Sequence, residues 1–217
     1  MTNDKLSNSS WLSLLHQHRS IAVIRTSSPL LGRQMAQAVA QGGMSLIEIT
    51  WNSHQAAELI TQLRSELPTC IIGTGTILNQ EQLQQAIAVG AQFLFTPHVD
   101  PKLIEFAVAK DVPIIPGALS PTEIITAWQA GASCVKVFPI QAVGGASYIK
   151  ALQGPLHAIP LIPTGGVTLN NAQELITAGA IAVGLAGDLF PQTLIADHDW
   201  PAISQRAKSL RQRLIRC

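Results

Sequence analysis

Charge is what this sequence has least of. Only 12% of its 217 residues are Asp, Glu, Lys or Arg, about half of the ~25% usual in soluble domains. Aromatic residues make up 5%, and there are three cysteines. Each shortage excludes something. Disordered chains combine high net charge with low hydrophobicity, whereas here the net charge is +1 and the apolar fraction 47%, which excludes disorder. A net charge near zero leaves no basic stripe for nucleic acid and no acidic tail. Cys70, Cys134 and Cys217 are odd in number and share no CxxC spacing, so neither a disulfide framework nor a zinc site is indicated. The six histidines, at 16, 18, 54, 98, 157 and 198, share no ligand spacing with acids, and the expectation is no metal and no other cofactor.

A long apolar run is missing too. The longest nearly pure one, Gly179 to Gly187, is far short of the ~20 residues a spanning helix needs. The first residues, MTNDKLSNSS, contain no apolar signal core. A cytoplasmic protein without membrane or nucleic-acid partners is expected. Five of the 14 positive residues, Arg206, Lys208, Arg211, Arg213 and Arg216, crowd into the last twelve positions, which reads as a solvated helix face. Eighteen glutamines on so weakly charged a chain point to a surface that avoids ions and favours self-association.

What the chain does have is alternation. Short β-branched or apolar runs recur every 19 to 28 residues: IAVIR (21–25), LIEITW (46–51), CIIGTGT (70–76), FLFTP (93–97), PIIPGAL (113–119), CVKVFP (134–139), PLIPTGG (160–166) and IAVGL (181–185). Helix starts separate them, at Ser28-Pro29, Asn79 with Gln82, Asp100-Pro101, and Ser120-Pro121 with Glu123. Gly42, Gly90, Gly131 and Gly179 stand where left-handed C-caps belong. No GxGxxG fingerprint follows the first strand. Eight βα units therefore predict an α/β fold of the (β/α)8 TIM-barrel type. Segment 8–19 forms an extra N-terminal helix that plugs the N-terminal mouth, 21–190 holds the barrel strands, and 200–216 is the last helix. No linker or composition shift divides residues 1–217, so one domain is expected.

In such a barrel the active site lies at the C-terminal ends of the strands. A charged residue within a strand is then informative. Of thirteen acidic residues only Glu48 falls in a candidate strand, and of six lysines only Lys136. Burying an unpaired charge costs several kcal/mol. A mutual ion pair is one explanation of the two. The other starts from direction: the period of two puts Cys134, Lys136 and Phe138 on one face and the two valines on the helix-facing side. Desolvation then favours the free amine of Lys136, the form that attacks a carbonyl. Leu46, Glu48 and Thr50 share a face by the same rule, and a carboxyl there can shuttle protons. GTGT (73–76), PTGG (163–166) and GLAG (184–187) put small or hydroxylated residues at strand ends, where backbone N–H groups and a helix N-terminus can meet an anion. His98 reads as a surface or capping residue, and Trp51 and Trp128 as packing.

These residues carry a resemblance. IEIT with Glu48, GTGT with Thr76, FTPH with Pro97, PG at 116–117 before a capped helix, VKVFP with Lys136, and PTGG at 163–166, in this order, are similar to the 2-keto-3-deoxy-6-phosphogluconate (KDPG) and 4-hydroxy-2-oxoglutarate (KHG) aldolase family, from about residue 20 to 190. The resemblance implies a class I aldolase that cleaves a 4-hydroxy-2-keto acid to pyruvate plus glyceraldehyde 3-phosphate or glyoxylate. Lys136 forms the Schiff base and Glu48 moves protons through a water. Thr76 and the strand end near Phe138 hold the pyruvoyl carboxylate, Pro97 lines the pocket, and Thr164, Gly165 and Gly166 meet the distal hydroxyl and phosphate. The family resemblance also implies a cytoplasmic, metal-free homotrimer whose partners are small 2-keto acids.

Two positions depart from the family pattern. The arginine four residues after the strand-two glutamate is Asn52 here, and Arg25 is expected to take over as the bidentate partner of the substrate carboxylate. A structural pair between Arg25 and Glu48 is the alternative. The serine expected at strand eight is Gly187, whose N–H remains as a donor. A phosphosugar epimerase or isomerase, which needs no nucleophilic Lys136, and a non-catalytic barrel that binds a small anion are the competing functions.

Overall fold

The computed structural model describes residues 6–215. Nine short strands alternate with helices: β1 (Ser20–Ile24), β2 (Leu46–Thr50), β3 (Ile71–Gly75), β4 (Leu94–Phe95), β5 (Ile114–Ile115), β6 (Gly117–Ala118), β7 (Val135–Val137), β8 (Leu161–Pro163) and β9 (Val183–Leu185). The helices are α1 (Asn8–His18), α2 (Pro29–Gln41), α3 (Ala56–Glu66), α4 (Gln80–Ala88), α5 (Pro101–Ala109), α6 (Pro121–Gln129), α7 (Ala146–Leu156), α8 (Ala172–Thr177), α9 (Gln192–Ala196) and α10 (Trp200–Ile215). Arg216 and Cys217 lie outside the described residues.

The expected helix starts form, three of them capped by a side chain and the Ser28 start by Pro29 at the first helical position without a side-chain cap bond. Ser120 accepts from the Glu123 N–H while Glu123 takes the Ser120 N–H at 2.7 Å, a complete capping box. Asn79 accepts from Gln82 and Asp100 from Lys102. Gly42 behaves differently from expectation. Its φ is −74°, and Gly43 holds the left-handed position at +86°. The reason for glycine at 42 is proximity: a Cβ there would sit 2.4 Å from the Ser204 carbonyl oxygen of α10. That close approach seats α10 on α2, with Ile203, Ala207, Leu210 and Leu214 turned inward.

All strands pair in parallel, in a six-stranded ladder β5-β4-β3-β2-β1-β9 and a three-stranded ladder β6-β7-β8. The sheet curls. A single strand over 113–119 does not form, because Pro116 has no N–H to continue the ladder. Its two halves face different neighbours: Ile114–Ile115 pairs with β4, and Gly117–Ala118 with β7. On the far side, an isolated bridge between Thr164 and Gly184 links the two ladders.

The period-two alternation sorts the strand residues into two apolar layers. Ile47, Ile49, Val135 and Val137 face the helices. Leu46, Phe93, Phe95, Cys134 and Ile162 form the inner layer, and Trp11 and Leu15 of α1 pack into the same cluster. Trp11 stacks on Phe93 at 4.8 Å, Phe93 meets Phe95 edge-on at 5.8 Å, and the Trp11 indole donates to Cys134 Sγ at 3.2 Å. The inner layer is a solid floor for whatever stands above it. Among the described residues no helix is long and apolar enough to cross a membrane.

Two surface readings change. Trp128 does not pack inside; it is one of the exposed large apolar residues, with Val108 and Ile125 on the adjoining α5 and α6. Arg206 and Arg213 are not simply solvated, since both donate to backbone carbonyls of neighbouring loops. The floor makes a direct prediction. Trp11→Ala removes a fully buried ring and the Cys134 hydrogen bond, and should lower unfolding free energy by about 3–5 kcal/mol. Urea denaturation checks this; a loss under ~1 kcal/mol would show that α1 is dispensable to the core.

Candidate active site

Above the floor, at the C-terminal ends of the strands, the side chains open onto a cavity of about 550 Å³. Lys136 enters it from the middle of β7 and Glu48 from the middle of β2. Each follows from register: Lys136 pairs with Gly117 and Ile162, and Glu48 with Val23 and Gly73. Arg25 stands just past the end of β1, Thr76 just past β3, and Pro97 and Phe138 shortly after β4 and β7. Thr164, Gly165 and Gly166 follow β8, and Gly187 follows β9. Every residue expected at the site therefore lines one cavity. His98 and Trp51 do not line it, and Asn52 lies in a neighbouring depression that Arg25 also borders.

The two charged residues are placed at a cost. Glu48 is 2% exposed and Lys136 8%. Desolvation is the main influence on each: it pushes the Glu48 carboxyl up and the Lys136 ammonium down from their ordinary values. Each partly offsets the other across the cavity, while Arg25 lowers both. Yet they form no ion pair. Among the described residues the N···O contacts within 4.0 Å are Arg33–Glu66 and Arg206–Asp188. Neither the Lys136–Glu48 pair nor the Arg25–Glu48 pair considered from sequence is formed.

Neighbouring residues make the placement possible. A Cβ at Gly75 would lie 1.8 Å from Glu48 Oε1, so the carboxyl occupies space that any other residue on β3 would fill. The Lys136 ammonium is 4.7 Å from the Phe138 ring centroid and 5.8 Å from that of Phe95 in the floor. The lysine thus has aromatic faces near it in place of a counter-ion. Thr76 holds φ +62°, an unusual and strained backbone for a β-branched residue, of the kind concentrated at functional sites.

At the far end of the cavity the donors are backbone. Among the described residues, the N–H groups of Gly166, Val167 and Gly187 donate to no acceptor. No helix N-terminus is among the lining residues, because α8 begins only at Ala172. Gly184 and Ala186, within the GLAG segment singled out from sequence, also line the wall, as do Val23, Val167, Thr168 and Asp188, which sequence does not single out. Val23 was accessible by counting two back from Arg25 on an inward face. Thr168 and Asp188 sit in loops, where no period marks direction. Among the described residues no cluster of three or more His, Cys, Asp or Glu side chains is placed to hold a metal ion.

The arrangement brings an amine with a depressed pKa and a carboxyl with a raised one to a partly apolar cavity with anion-ready N–H groups at one end. An amine shifted downward is more readily the free base that adds to a carbonyl, and a carboxyl shifted upward is a better proton carrier than an ordinary carboxylate.

Comparison with known proteins gives a consistent answer. The model of the KDPG and KHG aldolase family matches residues 12–206. The 2-dehydro-3-deoxy-phosphogluconate aldolase of Treponema pallidum is 36% identical over 178 residues, covering 82% of this chain and 85% of that protein. The crystal structure of KDPG aldolase from Legionella pneumophila, with pyruvate captured at low pH as a covalent carbinolamine intermediate, superposes with a TM-score of 0.85 at 26% identity, over 92% of this chain and 97% of that one. A chain of a cube-shaped, porous cage designed by fusing symmetric oligomeric domains superposes with a TM-score of 0.82 at 32% identity, over 90% and 71%.

The electrostatics predict a measurable order of pKa values. Competitive acetylation followed by peptide mass spectrometry should give Lys136 a midpoint below the ordinary 10.5. In Glu48→Gln the supporting negative charge is gone, so the midpoint should fall further. A midpoint at or above the ordinary value, or one that rises in Glu48→Gln, contradicts this account of the site.

Proposed function

Because the chain belongs to the KDPG and KHG aldolase family and is an aldolase, a carbon–carbon lyase, we propose that Lys136 and Glu48 carry its chemistry through a Schiff base. The observation that carries this reading is a buried lysine with no counter-ion contact among the described residues, in the same cavity as a buried carboxyl. Family membership sets aside the epimerase and the non-catalytic readings.

The substrate is a 4-hydroxy-2-keto acid, KDPG or KHG. The free amine of Lys136 adds to C2, and the resulting carbinolamine loses water to give a protonated imine. Glu48 takes the proton of the C4 hydroxyl, directly or through a water. The C3–C4 bond breaks, its electrons pass into the imine, and the aldehyde leaves behind an enamine. Return of a proton to C3 and addition of water then release pyruvate and the free lysine. Glyceraldehyde 3-phosphate or glyoxylate is the other product. The carbinolamine captured in the Legionella enzyme supports the first step. No cofactor is required.

Arg25 and Thr76, with the backbone near Phe138, hold the substrate carboxylate, and Pro97 shapes the wall. Thr164, Gly165, Gly166 and Gly187 meet the distal hydroxyl and phosphate. The unused N–H groups of Gly166 and Gly187 support this assignment. The two ladders, linked by Thr164–Gly184 and continuous in chain through Pro116, are read as one closed (β/α)8 barrel and a single domain. Exposed Val108, Ile125 and Trp128, together with the likeness to a cage chain designed from symmetric oligomeric domains, support a homotrimer. A cytoplasmic location is part of the same proposal.

Borohydride with pyruvate should add one reduced pyruvoyl group to Lys136, and Lys136→Ala should gain none and lose turnover. Glu48→Gln should lower kcat by about 10²–10⁴-fold while the imine remains trappable. An active Lys136→Ala overturns the assignment. A Cβ at Gly187 meets nothing within 4 Å. Gly187→Ser should therefore fold, add a hydroxyl to the distal end and lower KM for the phosphorylated substrate; an unchanged or higher KM removes Gly187 from that subsite.

A further inference from the structure

Asp188 borders the cavity at the end assigned to the distal anion, where an uncompensated carboxylate would repel a phosphate. Its surroundings answer that charge. Oδ2 accepts the Leu169 N–H at 2.8 Å. Arg206 of α10 donates through Nε to the Asp188 carbonyl at 3.2 Å, donates to the same carbonyl through Nη2, and places Nη2 3.4 Å from Oδ2. Arg213, about two turns further along the same face of α10, donates to the Leu169 carbonyl at 3.1 Å.

Leu169 and Asp188 belong to two different loops. The first follows β8 and carries Gly165, Gly166 and Thr168; the second follows β9 and carries Gly187. Both loops supply N–H groups to the same end of the cavity. Asp188 ties one to the other, and the α10 arginines fasten both to a helix that is itself seated on α2 by buried apolar residues. Arg206 therefore does two things at once: it neutralises a carboxylate beside an anion subsite, and it holds the loop that presents Gly187.

We propose that Arg206, acting through Asp188, is a positioning residue that sets the affinity of the cavity for the distal anionic group of the substrate. The proposal rests on the assignment of that end of the cavity given above. Arg206 does not touch the substrate. Its effect falls on distal-group binding and leaves the chemistry at Lys136 alone.

Glycerol 3-phosphate, a phosphomonoester without a carbonyl, probes that end separately from imine formation. Titration calorimetry on the full chain should show Arg206→Met binding the probe about tenfold more weakly than the parent. Lys208→Met, an exposed cation on the same helix, should bind like the parent. Adding Asp188→Asn to Arg206→Met removes the uncompensated charge but keeps an acceptor for Leu169, and should recover at least about threefold. Steady-state kinetics should show the loss in KM for a phosphorylated substrate and not in kcat. Borohydride trapping of pyruvate on Lys136, equal in all variants, shows that they are folded and competent at the other end.

Arg206→Met within twofold of the parent overturns the proposal. So does a double variant as weak as Arg206→Met, which would remove Asp188 from the effect. A parent that fails to bind the probe overturns it as well, while a pyruvate adduct on Lys136 in the same sample leaves the aldolase assignment standing.

Discussion

The structure depends on keeping one amine and one carboxyl out of water and apart from each other. A direct ion pair would satisfy both charges and leave neither free to react. Here Lys136 and Glu48 face one cavity without contact within 4.0 Å, so each feels the other only through space. Desolvation dominates both pKa shifts in opposite directions. Those directions favour the nucleophilic free amine and the proton-carrying carboxyl. Such a site opposes stability, and the surrounding fold must supply what it costs.

The supply comes from below and from the sides. Trp11, Phe93 and Phe95 pack into an aromatic floor whose Phe95 ring lies 5.8 Å from the Lys136 ammonium. Gly75 leaves the space into which Glu48 fits. Parallel pairing with strand neighbours on both sides fixes the direction of each side chain. The distal end is built on another principle: its donors are backbone groups in loops, and loops need fastening. The contacts of Asp188, Leu169, Arg206 and Arg213 provide it.

What the sequence made legible follows the same division. In a chain so poor in charge, a lone Glu and a lone Lys inside strands were conspicuous, and strict period-two alternation gave their direction. Capping residues gave the helix starts for the same local reason. What escaped was non-local. The break at Pro116 has a local cause, but the different partners of its two halves are a matter of curvature. Gly42 reads as a cap in the sequence, because the approach of Ser204 depends on how α10 packs. Arg206 looked like one more solvated cation because Asp188 is eighteen residues away in a loop with no period. Trp128 reads as packing, yet its place on α6 leaves it exposed.

The central claim is that Lys136 and Glu48 act together on a 2-keto acid, and exchange at the pyruvate methyl group tests both at once. Proton NMR of pyruvate in D₂O follows loss of the methyl signal as the enamine forms and is reprotonated. Rapid exchange is expected with the parent protein, none above background with Lys136→Ala, and strongly slowed exchange with Glu48→Gln. Methyl exchange that proceeds undiminished in Glu48→Gln, or that is absent from the parent, would contradict it.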